Sequence, residues 1–378
     1  MAEDLGEYDV IVVGAGIAGA SVAGELASGA RVLVLEREAQ PAYHASGRSA
    51  AVYIEPYSTD PIYALTRATL PFLESPTAGF TDQALTHPRG YLLLVRSADA
   101  STLDDYLAHW GGRCPEILEI GFADARAMVP VLRDGYAARF AYDPTAVSLD
   151  TNEMVQGWLR AVRRGDGACV VGADVTGARR AHGLWHVATS RGEARAPVLV
   201  NAAGAWARSL ASLVGASSIP LTPHRRSAAL IAAPAGEDIS SWPAVSPVEK
   251  SFYFKPEGAH LMVSPADQTP SEPMDAWADD LDLAIAIERA EAAAVLEVQR
   301  FEATWAGLRT FVPDENPVYG WDPVIEGFYW CAGQGGVGFQ TAWAAARWCA
   351  AELGVGEAPR ALADLDFDPA SVSPQRFV

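Results

Sequence analysis

The sequence predicts an α/β chain in which a Rossmann-like nucleotide-binding domain is interleaved with a substrate domain built on a mainly antiparallel sheet. Three observations lead there. A β-branched run, a glycine-rich turn and a small-residue helix follow one another from Val10 to Ala27. Apolar strands running into glycine turns recur far downstream, at Ala196–Trp206 and Gly327–Gly338, so the chain returns to the sheet in which it starts. Finally, 378 residues, 50% of them hydrophobic and 11 of them tryptophan, exceed what one layered core usually holds.

The first strand is Val10–Val13, and Gly14-Ala15-Gly16-Ile17-Ala18-Gly19 forms the turn and the helix start. Gly14 permits the turn, Gly16 lets a pyrophosphate approach the backbone, and Gly19 lets helix and strand pack closely. The free amides at the helix start then hold phosphate. Arg31–Leu35 reads as a second parallel strand ending at Glu36, seventeen residues after Gly19, where a ribose-binding acid belongs. This order specifies a dinucleotide site and leaves FAD and a nicotinamide dinucleotide equally open.

Beyond Glu36, Tyr43–Ala51 is a run of small residues, against which a flat ligand can lie. Pro61–Leu73 reads as a helix and Tyr91–Val95 as a strand, whereas Leu103–Tyr142 mixes short helices and loops. Trp158–Ala188 reads as a helix end followed by hairpin-like strands through Cys169-Val170-Val171 and Trp185-His186-Val187. Leu221–Ala233 and Ser251–Val263 are strands bracketing proline-rich loops, Leu281–Ala294 is a helix, and Phe339–Leu353 is a final alanine-rich helix. The expected nucleotide-binding segments are 1–83, 147–219 and 304–378, with substrate-domain segments 84–146 and 220–303.

Charge excludes some partners. Only 28 Lys and Arg stand against 47 Asp and Glu, and a net charge of −19 repels nucleic acid and anionic lipid. The four cysteines lack the close pairs of a zinc site or redox dithiol and suit a reducing compartment; no metal is expected. Val10–Ala27 is preceded by Glu3, Asp4, Glu7 and Asp9, the wrong sign for a secretion signal, and is too short for an integral membrane segment. A cytoplasmic protein is therefore expected.

Taken together, Val12–Ser21, Val34–Ala51, Val198–Trp206, Arg225-Arg226-Ser227, Ser251-Phe252-Tyr253, Trp305–Arg309 and Gln334–Thr341 resemble the D-amino-acid-oxidase superfamily of flavoproteins, and within it the bacterial D-arginine dehydrogenases. The resemblance runs nearly the full length. It implies FAD as cofactor, oxidation of a carbon–nitrogen bond by hydride transfer, an amino-acid substrate, and a quinone, another carrier or oxygen as electron acceptor. It also implies cofactor contacts from Gly14 to Gly19, Glu36, Arg37, Arg48, Ser49, Ala50, Ala51, Val175, Ala203, Gly204, Trp206, Gly335, Gly336, Val337, Gly338, Gln340 and Thr341.

An amino-acid carboxylate is best held by planar cationic donors, which makes the arginines the residues to follow. Arg225 and Arg226 are adjacent on a strand and point to opposite faces; the resemblance selects Arg226, and makes Arg309 the main clamp. Either could instead form an interdomain salt bridge. Tyr253 faces away from Phe252 and Phe254 and offers a phenol to the carboxylate, and the resemblance implies that Tyr57 belongs to the same pocket, although both suit simple packing. The resemblance assigns the Gly336 carbonyl to the substrate amine, and the helix that follows places partial positive charge near the flavin. His44 reads as an ordinary loop histidine. Where D-arginine dehydrogenases carry an acid for the guanidinium, this sequence has Tyr91, and two further polar positions are Val52 and Ile54. The side-chain pocket therefore favours neutral or hydrophobic D-amino acids, with Glu55 the one nearby carboxylate that keeps a cationic substrate open. Oxidation of a secondary or N-methyl amino acid is the neighbouring alternative; a nicotinamide-dependent dehydrogenase and a non-catalytic flavin-binding protein are more distant ones.

Overall fold

The computed structural model describes residues 3–378. Its central sheet has six strands in the order Ala168–Val170, Val32–Leu35, Val10–Val13, Val198–Asn201, Phe328–Ala332 and Val318–Trp321. The first five run parallel and the last antiparallel. Strand alternation sends Val10 and Val12 to one face, against the helices Ile17–Leu26, Asp60–Glu74 and Ala342–Glu352, and Ile11 and Val13 to the other. On that second face lies a smaller sheet of Glu3–Glu7, Gly192–Ala196, Leu184–Thr189 and Val175–Ala181.

The second large sheet has nine strands and is antiparallel apart from the pairing of Ala244–Pro247 with Tyr91–Val95. One face is covered by the helix Asp280–Ala293, whose start is capped by the Asp279 carboxylate accepting from Leu281 N and Asp282 N. Phe252 and Phe254 are buried on that face, which turns Tyr253 to the other. Among the described residues no helix is long and apolar enough to cross a membrane.

The two-sheet α/β architecture is the one the sequence predicts, but two local readings need correcting. The hairpin is formed by Val175–Ala181 and Leu184–Thr189, turning at His182-Gly183. Ala168–Val170 instead joins the central sheet as an edge strand beside Val32–Leu35. Its apolar run was too short to distinguish a hairpin arm from a buried parallel strand. Similarly, Ala303–Phe311, expected with the third nucleotide-binding segment, pairs along its length with Thr222–Ala232 in the large sheet. That pairing brings Arg309 to the same side of the molecule as Arg226.

Candidate active site

Two adjoining cavities open between the sheets. The larger, about 350 Å³, is walled by Gly14, Gly16, Glu36, Arg37, Val175 and Ala202–Trp206, with His44, Ser46 and Arg48 from the small-residue loop. The smaller, about 120 Å³, continues from Gly16, Ile17 and Ala18 past Arg48 and Ser49 to Arg226, Arg309 and the Gln334–Gly336 turn. A long, bent ligand with a phosphate-rich middle fits such a pair, and the details suit FAD.

Gly14 has φ +104°, and a Cβ there would lie 2.4 Å from Ala202 O; a Cβ on Gly19 would lie 1.9 Å from Gly14 O. The turn is therefore closed to any side chain at both positions. Glu36 is buried and accepts hydrogen bonds from Ala15 N (2.8 Å) and Glu38 N (2.9 Å), so its carboxylate is fixed at the strand end, facing the larger cavity. Each oxygen retains acceptor capacity for a ribose hydroxyl. Ser46, which sequence reasoning missed, holds the helix start: its Oγ accepts from Ile17 N at 2.9 Å. Trp206 lies between Arg37, 4.7 Å over its ring, and His44, whose ring centroid is 4.6 Å away.

Several expected cofactor contacts have other partners. Gln340 bonds Ile54 N and O and Thr66 Oγ1, and Thr341 Oγ1 donates to Val337 O, so both brace the turn from behind. Val337 is itself buried. Neither Ala50 nor Ala51 lines either cavity; Ala51 has φ +56° and its amide bonds Ser49 Oγ. Arg48 lines both cavities, but its guanidinium is engaged by Asp275 and two carbonyls.

At the far end of the smaller cavity the structure brings Arg226 and Arg309 together. Arg225 points the other way, to Asp282 (2.7 Å) and Asp267 (3.5 Å), as strand alternation requires. Arg226 Nε donates to Asp267 O, and among the described residues neither Arg226 nor Arg309 has an ion-pair partner. Burial and the like charge of Arg309 pull the Arg226 guanidinium below its ordinary pKa. Arg309 is packed on the glycine turn; a Cβ on Gly336 would meet its Nη1 at 2.7 Å. Two unpaired cations that repel each other form a ready site for a carboxylate, whose arrival relieves the repulsion.

Tyr57, Tyr91 and Tyr253 are close enough to interact electrostatically, and Tyr57 and Tyr253 both sense Arg226. Burial alone would raise the Tyr57 phenol, but Lys250, Arg309 and Arg226 together carry it below its usual value. Lys250 was not anticipated. It sits with φ +57° in the turn before Tyr253, with its ammonium 4.2 Å over the Tyr57 ring. A cation–π contact from an exposed lysine contributes about 0.5–1 kcal/mol, so Lys250→Met is expected to raise the half-saturating substrate concentration only about two- to fivefold. A salt titration of substrate binding checks this, since the wild-type advantage should fade as ionic strength rises.

Contrary to the sequence-based expectation, Glu55 does not face this cluster. It is buried against Arg67 (2.9 Å), Tyr53 and Cys114, where burial raises its carboxyl and Arg67 opposes the rise. Strand alternation turns Val52 and Ile54 away from that pocket, and Ile54 packs on the Tyr91 side of the large sheet. Asp143 pairs in register with Tyr91; it is buried, its Oδ1 accepts from Thr145, its Oδ2 has no partner, and burial raises its carboxyl above the ordinary pKa.

The comparisons with known proteins agree on the fold and cofactor. The family described as FAD dependent oxidoreductase (DAO) matches residues 9–352. Human mitochondrial sarcosine dehydrogenase is 30% identical over 169 residues, 42% of this chain and 18% of that protein, so the chain spans less than a fifth of that relative's length. The uncharacterized oxidoreductase YurR of Bacillus subtilis (strain 168) is 25% identical over 87% of this chain and 90% of its own. Among solved structures, glycine oxidase from Geobacillus kaustophilus superposes with a TM-score of 0.83 at 22% identity, covering 96% of this chain and 99% of the other. L-proline dehydrogenase from P. horikoshii gives 0.80 at 20% identity, over 93% and 95%. The cavities, the closed glycine turn and these matches make the chain a member of the DAO family of FAD-dependent oxidoreductases.

Proposed function

We propose that this enzyme oxidises a D-amino acid with a neutral or hydrophobic side chain to the imino acid. The observation that carries the reading is the unpaired pair Arg226 and Arg309 at the inner end of the smaller cavity. Arg309 and Arg226 bind the α-carboxylate, and the Tyr253 and Tyr57 phenols donate to its remaining lone pairs. The Gly336 carbonyl accepts from the substrate amine and fixes the Cα–H direction. Bound FAD supplies the hydride acceptor. The amine proton leaves to water, and a quinone, another carrier or oxygen removes the electrons. The D-configuration rests on the resemblance to D-arginine dehydrogenases. The preference for neutral side chains rests on Tyr91, Val52 and Ile54 and on the engagement of Glu55 by Arg67.

The partial similarity to sarcosine dehydrogenase supports a second reading, oxidation of an N-methyl amino acid. Product analysis with an artificial electron acceptor separates the two. A D-amino acid yields a 2-oxo acid and ammonia after imine hydrolysis, whereas sarcosine yields glycine and formaldehyde. Turnover of sarcosine with no 2-oxo acid from any D-amino acid would replace the first reading by the second. A further expectation concerns Tyr91. Tyr91→Glu should shift selectivity toward D-arginine over D-norleucine by about tenfold, the worth of one charge-assisted hydrogen bond; competition assays on the variant measure it.

A further inference from the structure

The segment Ser271–Asp279 has a position that substrate binding does not explain. It joins the edge strand Thr269–Pro270 to the helix Asp280–Ala293, both in the large-sheet half, yet it crosses to the nucleotide side. Met274 and Ala276 form part of the wall of the larger cavity. Ala276 is buried in a small apolar cluster with Ala205, Ala306 and Leu308. Asp275 lies between them and does not line the cavity. Its Oδ1 is 2.5 Å from Arg48 Nη2, its Oδ2 accepts from Tyr43 Oη at 3.0 Å, and His44 Nδ1 lies 3.9 Å away. Arg48 Nη1 completes the closure by donating to Ala276 O (3.0 Å) and Ala306 O (2.8 Å). Both ends are fixed as well, by Ser271 N donating to Pro223 O and by the Asp279 cap.

We propose that Ser271–Asp279 is a strap that retains FAD, and that Asp275 is the positioning residue fastening it through Arg48 and Tyr43. The proposal needs only the FAD binding that family membership establishes. Met274 and Ala276 of this strap close part of the wall of the larger cavity, so lifting the strap opens a path for exchange of a long dinucleotide. Lifting breaks the Arg48 and Tyr43 bonds and exposes Ala276 in one event. The apolar contact is limited to small side chains, Ala276 with its partly buried neighbour Ala278, since Trp277 is 76% exposed. The hold is therefore mainly the polar latch. The Arg48 hydrogen bond, with help from Tyr43, keeps the Asp275 carboxyl below its usual range, so the latch stays charged in mildly acidic solution.

The test uses the FAD-loaded enzyme and follows release of free flavin by its fluorescence after dilution. Asp275→Asn should release FAD about three- to fivefold faster than wild type. Tyr43→Phe should give a smaller increase, and wild-type release should quicken with salt. Limited proteolysis of the loaded variant should show faster cutting within 271–279, with the thermal midpoint of the FAD-free protein unchanged. Wild-type release from Asp275→Asn would overturn the strap. So would faster release matched by a general loss of stability, which would make Asp275 a merely structural residue.

Discussion

Arg309→Ala is expected to weaken amino-acid binding by about two to four orders of magnitude while the purified protein stays yellow. The magnitude follows from removing one partner of a buried charge contact, about 3–5 kcal/mol. It falls on substrate rather than cofactor because Arg309 is packed on Gly336 at the inner end of the smaller cavity, away from Gly14 and Gly19 of the nucleotide turn. The loss should appear in the concentration needed for half reduction, measured by rapid mixing without oxygen. Arg309→Lys should recover only part of it, since an ammonium keeps the charge but not the two-pronged donor geometry. Arg226→Ala should cost less, because it also relieves the like-charge repulsion between the two guanidinium groups. Equal binding by wild type and Arg309→Ala would remove the clamp from the mechanism.

The second large effect is expected at the nucleotide turn. Gly19→Ala places a methyl group 1.9 Å from Gly14 O, a contact that only a shift of the helix or the turn can clear. Overpacking of this kind costs about 1–3 kcal/mol, and the displaced helix start also loses its amide geometry for phosphate. The expected outcome is a colourless protein with FAD affinity lowered at least about a hundredfold. The ratio of flavin to protein absorbance after desalting measures it, with far-ultraviolet circular dichroism to verify the fold. Gly177→Ala, where a Cβ would meet nothing within 4 Å, should remain fully loaded and serves as the control.

Where a residue's position follows from strict periodicity, its place was legible in the sequence. The strand, turn, helix and strand from Val10 to Glu36 read correctly because the glycine spacing and the β-branched runs leave one arrangement. Alternation alone separated Arg226 from Arg225 and Tyr253 from its two phenylalanines. The same rule bears on Glu55, since in an extended strand it lies on the face opposite Val52 and Ile54, with Tyr53, however near it stands in sequence. Other features depend on contacts between irregular segments remote in sequence. Nothing in the local pattern places Asp275 beside Arg48, or Lys250 over Tyr57, because a loop's path is set by what it packs against. The edge strand Ala168–Val170 was missed for a related reason, its pairing partner lying more than a hundred residues earlier.

The paired arginines are proposed to receive the carboxylate of a D-amino acid whose side chain lies against Tyr91. The most direct test is an anaerobic absorbance titration of the FAD-loaded enzyme against a panel of D- and L-amino acids, D-arginine and N-methyl amino acids. Bleaching of the flavin is expected with neutral D-amino acids, little with D-arginine and none with the L-enantiomers. Bleaching by D-arginine in preference to all neutral D-amino acids, or by the L-enantiomers alone, would contradict the proposal.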